Sequence, residues 1–193
     1  MSKSDETKQR IIKASVRLFA DKGYSPVTMK DICEATGLSR GGLYRYYKST
    51  AEIMEAILES EQKGADEVAA CIYELKWTAM EMLDGFLSSQ KRFIESDVVS
   101  IETAAIQFSQ LEAGRQTNIK RFSRTVLRLA DLIRQGQAEG VFAKGNADII
   151  AAHVILVIGG LRQQCALIGF NQTFIDKQFE LIRNIIVQGF EEE

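Results

Sequence analysis

The chain has 193 residues, with 24 Lys plus Arg against 26 Asp plus Glu, 46% hydrophobic residues and a single Pro. That balance excludes low-complexity and proline-rich chains and supplies enough apolar side chain to bury a sizeable core. The net charge of −2 hides a division: residues 1 to 50 carry ten cations against five acids, and the acids predominate in the rest. A basic first quarter suits attachment to a polyanion, although an ordinary solvated surface has the same composition.

Lys3 to Arg10 carry charges of both signs with no apolar segment behind them, so no leader is expected. The longest uncharged apolar stretch, Ile149 to Leu161, is 13 residues and too short to span a bilayer. A cytoplasmic protein without membrane association is the expectation. Cys33, Cys71 and Cys165 lie far apart with no CxxC, which predicts reduced thiols rather than disulfides or a metal site.

From Asp5 to Lys22, Ile11, Leu18 and Phe19 recur at helical spacing with Lys8, Arg10, Lys13 and Arg17 on the other side, which predicts an amphipathic first helix. Gly23 and Pro26 stop it, making Tyr24 to Val27 a connector. Thr28 reads as the N-cap of a short second helix that ends at Gly37, and Ser39 as the cap of a third reaching about Tyr47. Two short helices across a Gly37–Leu38 turn make a helix-turn-helix. On the third helix Leu43 and Tyr47 can pack inward, while Gly41 and Arg45 project outward with Gly42 and Tyr44 at the flanks. Two glycines inside a short helix cost roughly 1 kcal/mol each against Ala, so they make sense where the backbone must approach something bulky. In a DNA major groove Arg40 and Arg45 can reach bases or phosphates, and Tyr44 and Tyr46 can offer hydroxyls to phosphate oxygens.

The residues from Lys8 to Ile53, with the run LFADKGYSPVTMKDICEATGLSRGGLYRYYKSTAEI, resemble the N-terminal signature of the TetR/AcrR family of bacterial transcriptional regulators. The resemblance implies a three-helix DNA-binding domain over residues 1–50, a homodimer, and a larger helical domain over 51–193 for ligand binding and dimerisation. It matches Thr28 to a phosphate-meeting N-cap, Arg40, Gly41 and Gly42, just after Ser39, to the base-reading start of the third helix, and Tyr44 and Tyr46 to backbone contacts. Thr50 stands where the family commonly has Lys at the start of helix four, and Lys48 can supply that charge from two residues earlier.

Beyond residue 51 the pattern is helical throughout, for an all-α chain of about nine helices. Helices are expected near 50–75, 78–95, 98–112, 114–139, 147–168 and 173–190. The last two are apolar on more than one face and need partners on two sides, which either the other helices of a nine-helix monomer or a second copy can supply. The resemblance assigns them to a dimer bundle, with Val154, Val157, Leu161, Ile175, Phe179, Ile182 and Ile186 as the expected interface. Isologous pairing would present two recognition helices to half-sites of one pseudo-palindromic duplex.

Tyr73, Trp77, Met80, Phe86, Phe93, Phe108 and Phe122 are spread over helices four to seven, either as plain core or as the lining of a small-molecule cavity, with Gln107 and Arg115 among the polar groups able to orient an effector. His153, the single histidine, reads as a core or interface residue. No HExxH, P-loop or GxGxxG occurs, so no catalytic group, cofactor or metal is expected. The favoured reading is a ligand-released repressor that binds double-stranded operator DNA as a homodimer. The alternative is a DNA-independent helical carrier of small molecules.

Overall fold

The computed structural model describes residues 2–74, 76–95, 99–169 and 171–189, without the side chains of 65–74, 95, 99–100 and 166. Every regular element among them is helical: α1 Lys3–Lys22, α2 Met29–Thr36, α3 Arg40–Tyr44, α4 Thr50–Glu74, α5 Ala79–Glu95, α6 Val99–Phe108, α7 Glu112–Ala138, α8 Ala147–Ile168 and α9 Gln172–Val187. They form two compact units. The first takes Met1–Asp66 with Val98–Ile119, the second Glu67–Asp97 with Lys120–Glu193.

In the first unit α1 packs against α2 and α6, and α2 against α3. The buried side chains are Ile11, Ser15 and Phe19 from α1, whose expected partner Leu18 is only half-buried, Ile32 from α2, Leu43 from α3, and Ile53, Met54, Ile57 and Leu58 from α4. From α6 come Ile101, Ala104, Ala105 and Phe108. Local chemistry sets the helix ends. Ser2 and Asp5 form a capping box at α1, Thr28 and Asp31 another at α2, and Gly37 stops α2 in the left-handed region at φ 68°.

The core of the second unit is drawn from α5 (Leu83, Leu87), α7 (Leu129, Ile133), α8 (Val154, Ile158, Leu161) and α9 (Ile175, Phe179, Ile182, Ile186). Asn146 caps α8 by accepting from the amides of Asp148 and Ile149 at 3.1 and 3.2 Å, and Asn171 caps α9 through the amide of Phe174 at 2.9 Å. At the end of α7 the chain doubles back, so that the amides of Val141 and Phe142 both donate to the Gly136 carbonyl, at 2.9 and 3.1 Å. A Cβ at Gly136 would overlap the Phe142 ring, so glycine is required there for close approach.

The residues expected at the dimer face are packed within the protomer. Val154, Leu161, Ile175, Phe179, Ile182 and Ile186 are buried in the protomer's own core, and Val157 packs against that core from its edge. The apolar residues of α8 and α9 left outward are a different set, among them Ile149 at 68% exposure, Leu156 at 63% and Leu181 at 54%, with Leu167, Ile168 and Phe174 also exposed. Periodicity showed two apolar faces without saying which one the protomer uses for itself.

Candidate nucleic-acid interface

The site is built on α2, the Gly37–Leu38 turn and α3. The amide of Thr28 donates to Asp31 Oδ2 at 2.8 Å, the Thr28 hydroxyl donates to the same oxygen, and the Asp31 amide returns to Thr28 Oγ1 at 3.3 Å. The Thr28 hydrogen bonds, with help from Lys22 at 3.4 Å, hold the Asp31 carboxyl down at about 2, well below the usual carboxylate range. Thr28 therefore has its hydroxyl committed to the box, and any phosphate arriving here meets the first amides of α2.

On α3 the wheel divides as the spacing predicts. Leu43 and Tyr47 are buried, Tyr44 and Tyr46 are half-buried, and Ser39, Arg40, Gly41, Arg45 and Lys48 are exposed. Ser39 Oγ accepts from the Gly42 amide at 3.2 Å, which fixes the start of the helix. The Arg40 guanidinium lies 5.6 Å from the centre of the Tyr44 ring, and that of Arg45 5.8 Å from the centre of the Tyr46 ring. Each cation lies within cation–π range of its ring, and guanidinium N–H donors are suited to a guanine edge or a phosphate. A Cβ at Gly41 would meet nothing within 4 Å, so no neighbour inside the protein demands glycine there.

The helix is shorter than expected. It ends at Tyr44 with Arg45 as its C-cap, and the amides of Tyr46 and Tyr47 both turn back to the Leu43 carbonyl, at 2.9 and 3.2 Å. Two glycines in its first turn give weak helical propensity, and the Lys48 ammonium caps the carbonyl of Tyr44 at 2.7 Å. Lys48 thus has an intramolecular partner in the role for which sequence offered it as a phosphate contact. Thr50 is the first residue of α4 and half-buried, and the cap before it is Ser49, whose Oγ accepts from the Glu52 amide at 3.2 Å. Glu52 in turn accepts from the Lys48 amide at 2.6 Å, so a carboxylate already occupies the N-terminus of α4. The sequence reading missed Glu52, although Ser49-x-x-Glu52 is a capping-box spacing.

The cavity candidates divide between the units. In the first, Phe108 is fully buried against Tyr24, Gln107 bonds the connector, and Arg115 is exposed and paired with Glu112. In the second, Met80 and Phe86 pack against the core, Phe93 lies 4.2 Å beneath the Arg162 guanidinium, and Trp77 and Phe122 are 37% and 39% exposed. The side chain of Tyr73 lies outside the described residues. No group of His, Cys, Asp and Glu among the described residues is placed to hold a metal ion, and no described helix is long and apolar enough to cross a membrane.

A capped helix, a left-handed glycine turn and a second short helix with a cationic outer face define a helix-turn-helix protein of the kind that binds DNA. The comparisons with known proteins give the family. Residues 11–57 match the model of the bacterial regulatory proteins of the TetR family. The uncharacterised HTH-type transcriptional regulator YfiR of Bacillus subtilis is 30% identical over 149 residues, 72% of this chain and 69% of the relative. The probable HTH-type transcriptional regulator ArpR of Pseudomonas putida is 24% identical, with 93% of each chain covered. A transcriptional regulator from Saccharomonospora viridis, solved in complex with choline, superposes with a TM-score of 0.79 at 25% identity over 95% of this chain and 98% of that one. The chain belongs to the TetR family and is a transcriptional regulator.

Proposed function

We propose that the protein is a ligand-responsive repressor that grips a pseudo-palindromic operator as a homodimer and is released by a small-molecule effector. The observation that carries the DNA contact is the outer face of α3, where Arg40, Gly41 and Arg45 project from a helix whose opposite side is buried through Leu43. Phosphate contacts through the amides of α2 and the hydroxyls of Tyr44 and Tyr46 would set the register, and the two guanidinium groups would read bases. Such a protein works on the chromosome and so inside the cell.

The dimer forms, in this reading, through the outward residues Ile149, Leu156, Phe174 and Leu181, which would otherwise stay in water. The effector binds among the helices of the second unit that carry Trp77, Met80, Phe86, Phe93 and Phe122. The choline held by the Saccharomonospora viridis protein supports a small molecule as the class of effector. Release is linkage: an effector that prefers the conformation with wrongly spaced recognition helices weakens operator binding by its differential affinity for the two states.

Gly41→Ala tests the DNA contact directly. The added methyl has open space within the protein, so the variant should be as stable as the parent or more stable, by up to about 1 kcal/mol. Its affinity for an operator selected from random-sequence duplex should nevertheless fall at least about tenfold, because the methyl stands between backbone and groove. Unchanged affinity in a mobility-shift titration would remove α3 from the interface.

A further inference from the structure

Gln107 lies on α6, outside the helix-turn-helix, yet its side chain reaches the link between α1 and α2. Its Oε1 accepts from the amide of Tyr24 at 2.7 Å and from that of Ser25 at 3.4 Å. Gly23, at φ 78°, admits this approach, since a Cβ there would stand 2.7 Å from the same oxygen. The Tyr24 ring packs between Phe19 of α1 and Phe108 of α6, with centroids 5.6 and 5.0 Å away. On its other side α6 is tied to the start of α7, where Asn118 Nδ2 donates to the Ala105 carbonyl at 3.2 Å.

We propose that Gln107 is a positioning residue for operator recognition, setting the turn from which α2 and α3 depart. This role rests on the proposed DNA-binding role of α3. The connector is four residues long, contains Pro26, and leads straight into the Thr28 cap. Its first two amides end on one oxygen of α6, so the direction of α2, and of α3 packed on it, follows the position of that oxygen. Phosphate attraction tolerates a small misplacement of α3, because charge acts over several ångströms, whereas base-edge hydrogen bonds do not. Loss of the Gln107 acceptor should therefore lower specific binding while leaving non-specific binding intact.

The test compares wild type, Gln107→Met and Gln107→Glu in the full-length protein. Each is titrated with the duplex that wild type enriches from a random library and with unselected duplex at the same salt, and amide exchange is followed at Tyr24 and Ser25. Gln107→Met keeps the length and loses the acceptor; its ratio of specific to non-specific affinity should fall roughly tenfold, with affinity for unselected duplex unchanged and both amides exchanging faster. Gln107→Glu keeps an acceptor oxygen and should retain most of the ratio. If Gln107→Met melts early, Gln107→Asn, one methylene too short to reach, takes its place with the same expectation. A full ratio in a variant whose two amides have lost protection would overturn the role of Gln107 and leave the regulator reading standing. A wild type that enriches no duplex would overturn the regulator reading itself, and this inference with it.

Discussion

At Thr28 and Asp31 two side chains exchange hydrogen bonds with each other's backbone, and the charge state of one carboxyl decides whether the box closes. Because the Asp31 carboxyl is held at about 2 in the fold against an ordinary 3.8, its contribution is complete above about pH 4 and is lost as pH falls through 2. Carbon-detected NMR titration should show Asp31 titrating near 2 in wild type and higher in Thr28→Val, though still below its ordinary value, because the amide of residue 28 and Lys22 continue to favour the carboxylate. A second residue-scale prediction concerns Ser15, fully buried on α1 with no hydrogen-bond partner for its hydroxyl among the described residues. Ser15→Ala removes an unsatisfied polar group and improves helix propensity, so urea unfolding should show a gain of roughly 1 kcal/mol. Single residues of this kind were legible where the rule is local: Thr28, Gly37 and Ser39 take the cap and turn roles their types suggest. Gln107 was not legible, because its partners Tyr24 and Ser25 lie more than eighty residues away in sequence and helical periodicity carries no long-range information.

Among the elements, the boundaries of α4, α5 and α8 fall where apolar spacing and cap residues put them, while α3 stops three residues early because Lys48 closes its carbonyl end. The hairpin that ends α7 depends on one glycine. Gly136→Ala would push a methyl into the Phe142 ring, and overpacking of a buried contact costs about 1–3 kcal/mol, so the variant should melt several degrees lower. Gly140, one turn later and at φ 74°, has open space around its missing Cβ and would be strained only through its backbone. The two apolar faces of α8 show where sequence reasoning ends. Val154 and Leu161 on one face and Ile149 and Leu156 on the other are equally hydrophobic, and only the packing of α5 and α9 shows which face the protomer buries.

For the whole molecule the outward set on α8 and α9 replaces the buried one as the place to break the proposed dimer. Ile182→Glu would insert a charge into the protomer's own core and unfold it, which says nothing about association. Leu156→Glu leaves that core intact, since the side chain is mostly in water already. Sedimentation should find Leu156→Glu folded and monomeric, with operator affinity lower by about a hundredfold or more because two half-sites are no longer gripped together. The central claim, that the outer face of α3 reads an operator sequence, is tested most directly by selecting duplexes from a random library with the full-length protein and footprinting the enriched sequence with wild type and Arg45→Ala. The account predicts two inverted protected half-sites, binding that weakens steeply with salt, and a footprint lost in the variant. Enrichment of nothing above the salt-sensitive background, or a footprint indifferent to Arg45, would contradict it.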